Sequence, residues 1–286
     1  MQAHDKRVKF RAILAGQRCV TAGSVWDPIS ARIADRLGVD VGLMGGSLGS
    51  YAVLGAPDLI VLTLTEFADQ ARRACRASKV SLLVDADHGY GNALNVMRTV
   101  EELENAGVSG LSIEDTLLPQ GFGQGGAPRL ISLEEGVGKM KSALAARIDR
   151  DLVIAGRTSA VAITGIADAV ARAKAYEAAG VDALFFVGVK TAEELDALCA
   201  SVRLPIILGG VPAALMDRAA LAARGVRLCL QGHQPFQASI AAIHATLKAL
   251  REGVAPAALP GLASGALSDQ VTRADAYAAA MQAYLK

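Results

Sequence analysis

Eight short apolar runs punctuate the chain, at residues 19–22, 39–44, 80–84, 110–113, 152–155, 183–187, 205–208 and 226–230. They are too short for buried helices and dominated by Val, Leu and Ile, so each predicts a strand buried on both faces. Between them, alanine-rich stretches at 65–78, 92–106, 132–146, 166–179 and 191–201 carry apolar residues at helical spacing. Gly107, Gly180 and Gly225 stand just before the next apolar run, where glycine can end a helix in the left-handed conformation. Near-continuous apolar strands alternating with amphipathic helices require a parallel sheet covered by helices on its outer face. Eight such repeats in about 235 residues match a (β/α)8 TIM-type barrel, predicted over residues 1–252.

The remainder falls outside the repeat. Residues 253–265 are rich in Gly, Ala and Pro and read as a linker, and 268–285 reads as one helix with Val271, Ala274, Tyr277, Ala278, Met281 and Leu285 on one face. Residues 253–286 are therefore expected to serve oligomerisation by docking that helix on a neighbouring subunit.

Of the 286 residues 52% are hydrophobic, ample for a single large core, and 29 Lys and Arg balance 28 Asp and Glu. With no basic or acidic run, nucleic acid and membrane surfaces are not expected partners. The first ten residues are polar and no stretch approaches the roughly 18 uninterrupted apolar residues of a membrane span, which predicts a cytosolic protein. Cys19, Cys75, Cys199 and Cys229 show no Cys-x-x-Cys spacing and read as small hydrophobes.

In a barrel of this type the chemistry gathers at the carboxyl ends of the strands. Strand two runs into Gly45, Gly46 and Ser47, strand three into Asp85 and Asp87, strand four into Glu114 and Asp115, strand five into Arg157 and Thr158, and strand eight into His233. Asp85 and Asp87, two apart, share a face if the strand continues, and like charges that close call for a cation between them. Oxygen ligands from two neighbouring strand tips suit Mg2+, with Mn2+ as the other candidate. Arg157 matches a carboxylate bidentately, although pairing with Glu114 is its alternative role. The amides around Gly46 can cradle an anion, whereas His233 can either bind substrate or cap a helix starting near Phe236.

Two patterns compete. Gly45 to Gly49 fits Gly-x-Ser-x-Gly, but that nucleophile elbow runs directly into a helix, and Ser50 to Pro57 is expected to stop any helix within about two turns. An elbow also leaves the carboxylates unexplained. Gly121 to Gly126 fits Gly-x-Gly-x-x-Gly yet lies past its strand and meets Pro128, which leaves two readings of 119–128: a substrate lid or a mobile surface loop.

Gly45-Gly46-Ser47, the run Asp85 to Asn92, Ile113-Glu114-Asp115 and Gly156-Arg157-Thr158 resemble the strand-end motifs of the isocitrate lyase and phosphoenolpyruvate mutase superfamily. Residues 84–101, Glu114 to Pro119 and Gly232-His233 are most similar to its oxaloacetate decarboxylase subgroup. The resemblance spans nearly the whole barrel. It implies a Mg2+-dependent enzyme of short 2-oxo diacids, assembled as a homotetramer with C-terminal helices exchanged between subunits. By position, Asp85 would be the main metal residue, with Asp87 and Glu114 acting through water. Ser47, Gly46, Arg157 and His233 would bind substrate, the last two taking part in catalysis.

The carbon–carbon lyases of the superfamily use a lid cysteine, and 116–128 contains none. The chain also departs from the decarboxylase pattern. A tyrosine near the end of strand seven is replaced by Leu208-Gly209-Gly210-Val211, Arg-Thr-Asn by Arg157-Thr158-Ser159, and an Asn before Gly232 by Gln231. Decarboxylation of oxaloacetate is the expected activity. Lysis or hydrolysis of a substituted malate or oxaloacetate, and a non-catalytic oxo-acid-binding barrel, are the alternatives.

Overall fold

The computed structural model describes residues 1–123 and 125–286. Strands β1 (Val20–Ser24), β2 (Val41–Met44), β3 (Ser81–Asp85), β4 (Gly110–Glu114), β5 (Val153–Thr158), β6 (Ala183–Phe186), β7 (Ile206–Leu208) and β8 (Val226–Leu230) close into a barrel in chain order. Every neighbouring pair is parallel, β8 with β1 included. This is the predicted (β/α)8 architecture.

Side chains alternate along a strand, so every second residue enters the barrel. Val41, Leu83, Val153, Ala155, Ile207 and Leu228 fill its interior, joined by Phe10 and Leu14 from α1 (Ala3–Ala15). That helix floors the amino-terminal end. The phenyl ring of Phe10 lies so close to β4 that a Cβ on Gly110 would come within 2.7 Å of it, so the plug is seated through a glycine.

The outer layer comprises α2 (Pro28–Arg36), α3 (Leu64–Ala77), α4 (Ala93–Ala106), α5 (Leu133–Ala146), α6 (Ile166–Ala179), α7 (Ala192–Ser201) and α8 (Arg218–Ala223). Capping boxes start four of them, pairing Asp27 with Ser30, Thr63 with Glu66, Asn92 with Asn95 and Thr191 with Glu194 and satisfying amides that the first helical turn leaves unbonded. Left-handed Gly107 and Gly180 end α4 and α6 as the sequence predicts. Each helix buries one face on the strands. In α4 this face is Val96, Val100 and Leu103, all fully buried.

The chain forms two compact units, Met1–Gly232 and His233–Lys286. The sequence pattern places the boundary at 252/253 instead, where the Gly-, Ala- and Pro-rich stretch begins just after α9 (Gln234–Arg251). Yet α9 has no buried residue, and Ile240, Ile243, Leu247 and Leu250 on it are exposed. The predicted single helix at 268–285 is two helices, α10 (Gly265–Thr272) and α11 (Ala274–Tyr284). Arg273 between them is left-handed, with φ of 61°, which breaks a continuous right-handed helix.

Candidate active site

Strand alternation carries three charged side chains to one place. Asp85 shares its face with Leu83, Glu114 with Gly110, and Arg157 with Val153 and Ala155, so all three follow inward-facing residues to the carboxyl end of the barrel. The register sets Asp85 opposite Ser112, Glu114 opposite Arg157, and Arg157 opposite Phe185. Arg157 Nη1 donates to Asp85 Oδ2, and its Nη2 lies 3.4 Å from Glu114 Oε2. Its guanidinium stands 5.4 Å from the centre of the Phe185 ring, a cation–π contact. Ser112 Oγ donates to the other Asp85 oxygen at 3.0 Å, and Thr116 Oγ1 to Glu114 Oε2 at 2.8 Å.

Asp87 joins this group by a different route from the one its spacing suggests. Strand β3 ends at Asp85, and Asp87 is left-handed, with φ of 49°, so a turn and not strand alternation brings the two carboxylates together. The turn lays the Asp87 carboxylate directly on the α-carbon of Gly46, where any Cβ would overlap it. Gly46 is thus placed beside the acidic group, for a steric reason that its motif did not disclose.

Burial drives the Asp87 carboxyl well above the usual range, with Asp85, Glu114 and Asp58 adding repulsion and Arg157 opposing. Burial likewise raises Glu114, countered by Arg157 and reinforced by Asp85. Burial opposes the charge on Arg157, but Asp85, Glu114 and Asp87 together hold it protonated beyond its ordinary range. One guanidinium therefore faces more negative charge than it can neutralise. A donor set of carboxylate oxygens with excess negative charge fits a hard divalent cation.

The contribution of Asp58 escapes the sequence reading. It lies in the loop between Gly55 and Thr63 with no motif around it, and only its electrostatic effect on Asp87 and Tyr90 places it with the site. Tyr90, inside the Asp85 to Asn92 run, likewise carries no role in the sequence reading. Its hydroxyl is buried with no hydrogen-bond partner among the described residues, and burial, reinforced by Asp87, Asp85 and Asp58, keeps it protonated.

Asp115, next to Glu114, is turned the opposite way by alternation. It is fully buried behind the barrel, accepting from Tyr176 Oη at 2.7 Å and Arg172 Nη1 at 3.1 Å, which removes it from the site. Ser47 lies in a helical turn, Gly46–Gly49, that continues as a π-helical turn, Ser50–Leu54, before left-handed Gly55 stops it. A helix does follow the Gly-x-Ser-x-Gly pattern, then, though only a short one. His233 opens the second compact unit as the residue capping α9, without a side-chain cap hydrogen bond. In the loop over 119–128, Gln124 lies outside the described residues, while Gly123, Gly125 and Gly126 have positive φ and Phe122 is fully exposed. Among the described residues, the grouping of His, Cys, Asp or Glu whose ligand atoms all lie within 4.8 Å of one another is His4, Asp149 and Asp151. Arg7 Nη1 at 2.8 Å from Asp149 and Arg11 Nε at 3.4 Å from Asp151 already supply their counter-charge.

The phosphoenolpyruvate phosphomutase family profile matches residues 10–251. The chain belongs to this family. Within it, the chain is 58% identical over 274 residues to a protein named oxaloacetate decarboxylase from Rhodopseudomonas palustris (strain BisB5), covering 96% of this chain and 94% of the relative. A Bradyrhizobium sp. (strain BTAi1 / ATCC BAA-1182) protein of the same name is 56% identical, with 100% and 99% covered. Among solved structures, phosphonopyruvate hydrolase in complex with oxalate and Mg2+ superposes with a TM-score of 0.86 at 30% identity over 100% of both chains. Oxaloacetate acetylhydrolase in complex with 3,3-difluorooxalacetate gives 0.87 at 26% identity, over 99% and 98%. These neighbours bear out the superfamily resemblance read from the strand-end motifs. No helix among the described residues is long and apolar enough to cross a membrane.

Proposed function

We propose that this protein decarboxylates oxaloacetate, or a closely related 2-oxo diacid, to pyruvate and CO2 with Mg2+ or Mn2+ bound at the barrel mouth. The supporting observation is the buried cluster of Asp85, Asp87, Glu114 and Arg157 in a chain whose full-length relatives are named oxaloacetate decarboxylase. Asp85 would hold the cation, with Asp87 and Glu114 orienting its waters. A bound Mg2+ supplies Lewis-acid stabilisation of the charge that develops on the keto oxygen. The guanidinium of Arg157, held by Asp85, Glu114 and the Phe185 ring, presents a planar fork to a substrate carboxylate. Amides near Gly46 and the Ser47 hydroxyl complete the anion contacts. As the C3–C4 bond breaks, CO2 leaves, its electron pair passes to the keto oxygen as an enolate, and a proton from water or a pocket acid completes pyruvate at C3.

The test is to incubate the purified protein with C3 to C6 2-oxo and 2-hydroxy diacids, with Mg2+ and with EDTA, and to follow CO2, pyruvate, glyoxylate and acetate. Oxaloacetate should yield CO2 and pyruvate above the rate of Mg2+ alone, and oxalate, which mimics the planar enolate, should inhibit far more tightly than malonate. Equal inhibition by the two would contradict the enolate route. Oxaloacetate acetylhydrolase among the structural neighbours supports a second reading, cleavage of a related acid. Glyoxylate from a substituted malate, or acetate from oxaloacetate, would select it. Binding without turnover would select the non-catalytic barrel.

The same reading extends to assembly as a homotetramer through the C-terminal helices, supported by the exposed Tyr277, Met281 and Leu285 of the 268–285 stripe. Deleting residues 266–286 should shift the mass in light scattering to a smaller species. An unchanged mass would exclude the tail from the subunit interface.

A further inference from the structure

The turn carrying Asp87 is unusual along its length. Asp87, Gly89, Tyr90 and Gly91 all have positive φ, at 49°, 81°, 60° and 147°, and side-chain-bearing residues stay in that region only where their surroundings hold them. Three successive carbonyls of the turn are each taken by a buried donor from a different element. The Asp87 carbonyl accepts from the Glu114 amide of β4 at 2.8 Å, that of His88 from Lys139 Nζ of α5 at 2.8 Å, and that of Gly89 from Thr99 Oγ1 of α4 at 3.0 Å.

Lys139 is the charged member of the three. It is 3% exposed and, among the described residues, makes no direct ion pair. Burial pushes its pKa down, while Glu135, Glu114 and Asp115 pull it back up. An ammonium kept in such a place is costly, and its hydrogen bond to a carbonyl is stronger than that of a neutral donor. A neutral side chain of the same length would pack against α4 without that cost. What the charge adds is a firm hold on one carbonyl, immediately after Asp87.

We propose that Lys139 is a positioning residue for the barrel-mouth metal site: by holding the His88 carbonyl it keeps Asp87 left-handed, with its carboxylate over Gly46. The inference rests on the reading of Asp87 as a residue that orients the cation. It assigns Lys139 no contact with substrate.

Mn2+ alone serves as the probe, titrated into full-length protein freed of metal, with free Mn2+ read by electron paramagnetic resonance. Lys139→Met should weaken Mn2+ binding by about 10- to 100-fold, the usual effect of losing a group that orients metal-binding residues. Val100→Ala, a core change in α4, should lower the thermal midpoint in EDTA yet leave Mn2+ affinity at the wild-type value. A folded Lys139→Met protein with wild-type Mn2+ affinity overturns the proposal. If that variant does not fold, hydrogen exchange of the wild type in EDTA decides: amides in a peptide covering 86–92 should exchange far more slowly than those at the 119–128 loop, and equal rates overturn the tether. Failure of the wild type itself to bind Mn2+ would instead overturn the metal-site reading, and this role with it.

Discussion

Asp85→Asn should remove nearly all Mg2+-dependent turnover while leaving the barrel folded. The substitution keeps the shape that Ser112 Oγ and Arg157 contact but removes the charge through which Asp85 would hold the cation. Lewis-acid stabilisation is worth several kcal/mol, and about 4 kcal/mol corresponds to roughly a thousandfold in rate. Steady-state assays of kcat and KM with Mg2+, beside Ser78→Ala on the outer layer as a control, check the size of the loss. EDTA should reduce the wild type to the same level. Turnover within tenfold of wild type in Asp85→Asn, or chelator-resistant wild-type activity, would remove the metal from the mechanism.

Arg157→Met should be damaging twice over. Its guanidinium engages Asp85 and Glu114, both largely buried, and removing one partner of a buried ion pair costs about 3–5 kcal/mol, because the remaining charges are left uncompensated. Loss of the two charge-assisted hydrogen bonds that Arg157 would donate to a substrate carboxylate, at about 1.5–3 kcal/mol each, would add a rate loss of roughly a hundredfold to ten-thousandfold.

The destabilisation has a definite sign with pH. Asp87 and Glu114 already sit above the usual carboxylate range in the folded protein, and Arg157 is a group that lowers both. Without it their folded values rise further above the unfolded ones. The folded state then binds protons that the unfolded state does not, so stability increases as pH falls from the raised values toward the ordinary carboxylate range, and decreases as pH rises. Urea unfolding should therefore show a deficit for Arg157→Met that grows as pH rises from the ordinary carboxylate range through the raised values. A deficit that is flat or grows with acidity would show that the carboxylates are not the source of the strain.

Local rules make much of this legible in the sequence. Apolar runs too short for helices marked all eight strands, since a strand covered on both faces needs no polar alternation. Gly107 and Gly180 marked helix ends because a left-handed residue there favours glycine. The same local logic placed Asp85, Glu114 and Arg157 at strand tips, and closure of the barrel brought them together.

The failures share a cause. Asp87 looked like a strand neighbour of Asp85, but pairing of β3 with β4 stops at Asp85 and a left-handed turn takes over. Asp115 stands at the same strand end as Glu114, but the alternation that aims Glu114 inward sends Asp115 out to Arg172 and Tyr176. In the tail, a helical stripe was readable while the left-handed Arg273 that divides it was not, because arginine carries no signal for that conformation.

The sequence by itself determined the number and order of the barrel strands, and which strand ends carry charge, because continuous apolar runs and the residues that follow them are local features of the chain. Only the tertiary structure decided that Asp58 bears on Asp87, that Gly46 must lack a side chain and that Lys139 reaches the His88 carbonyl. Those relations join residues 29 to 51 positions apart in the chain, and a contact across such a separation exists only once the closed sheet and its helices have fixed where each backbone runs.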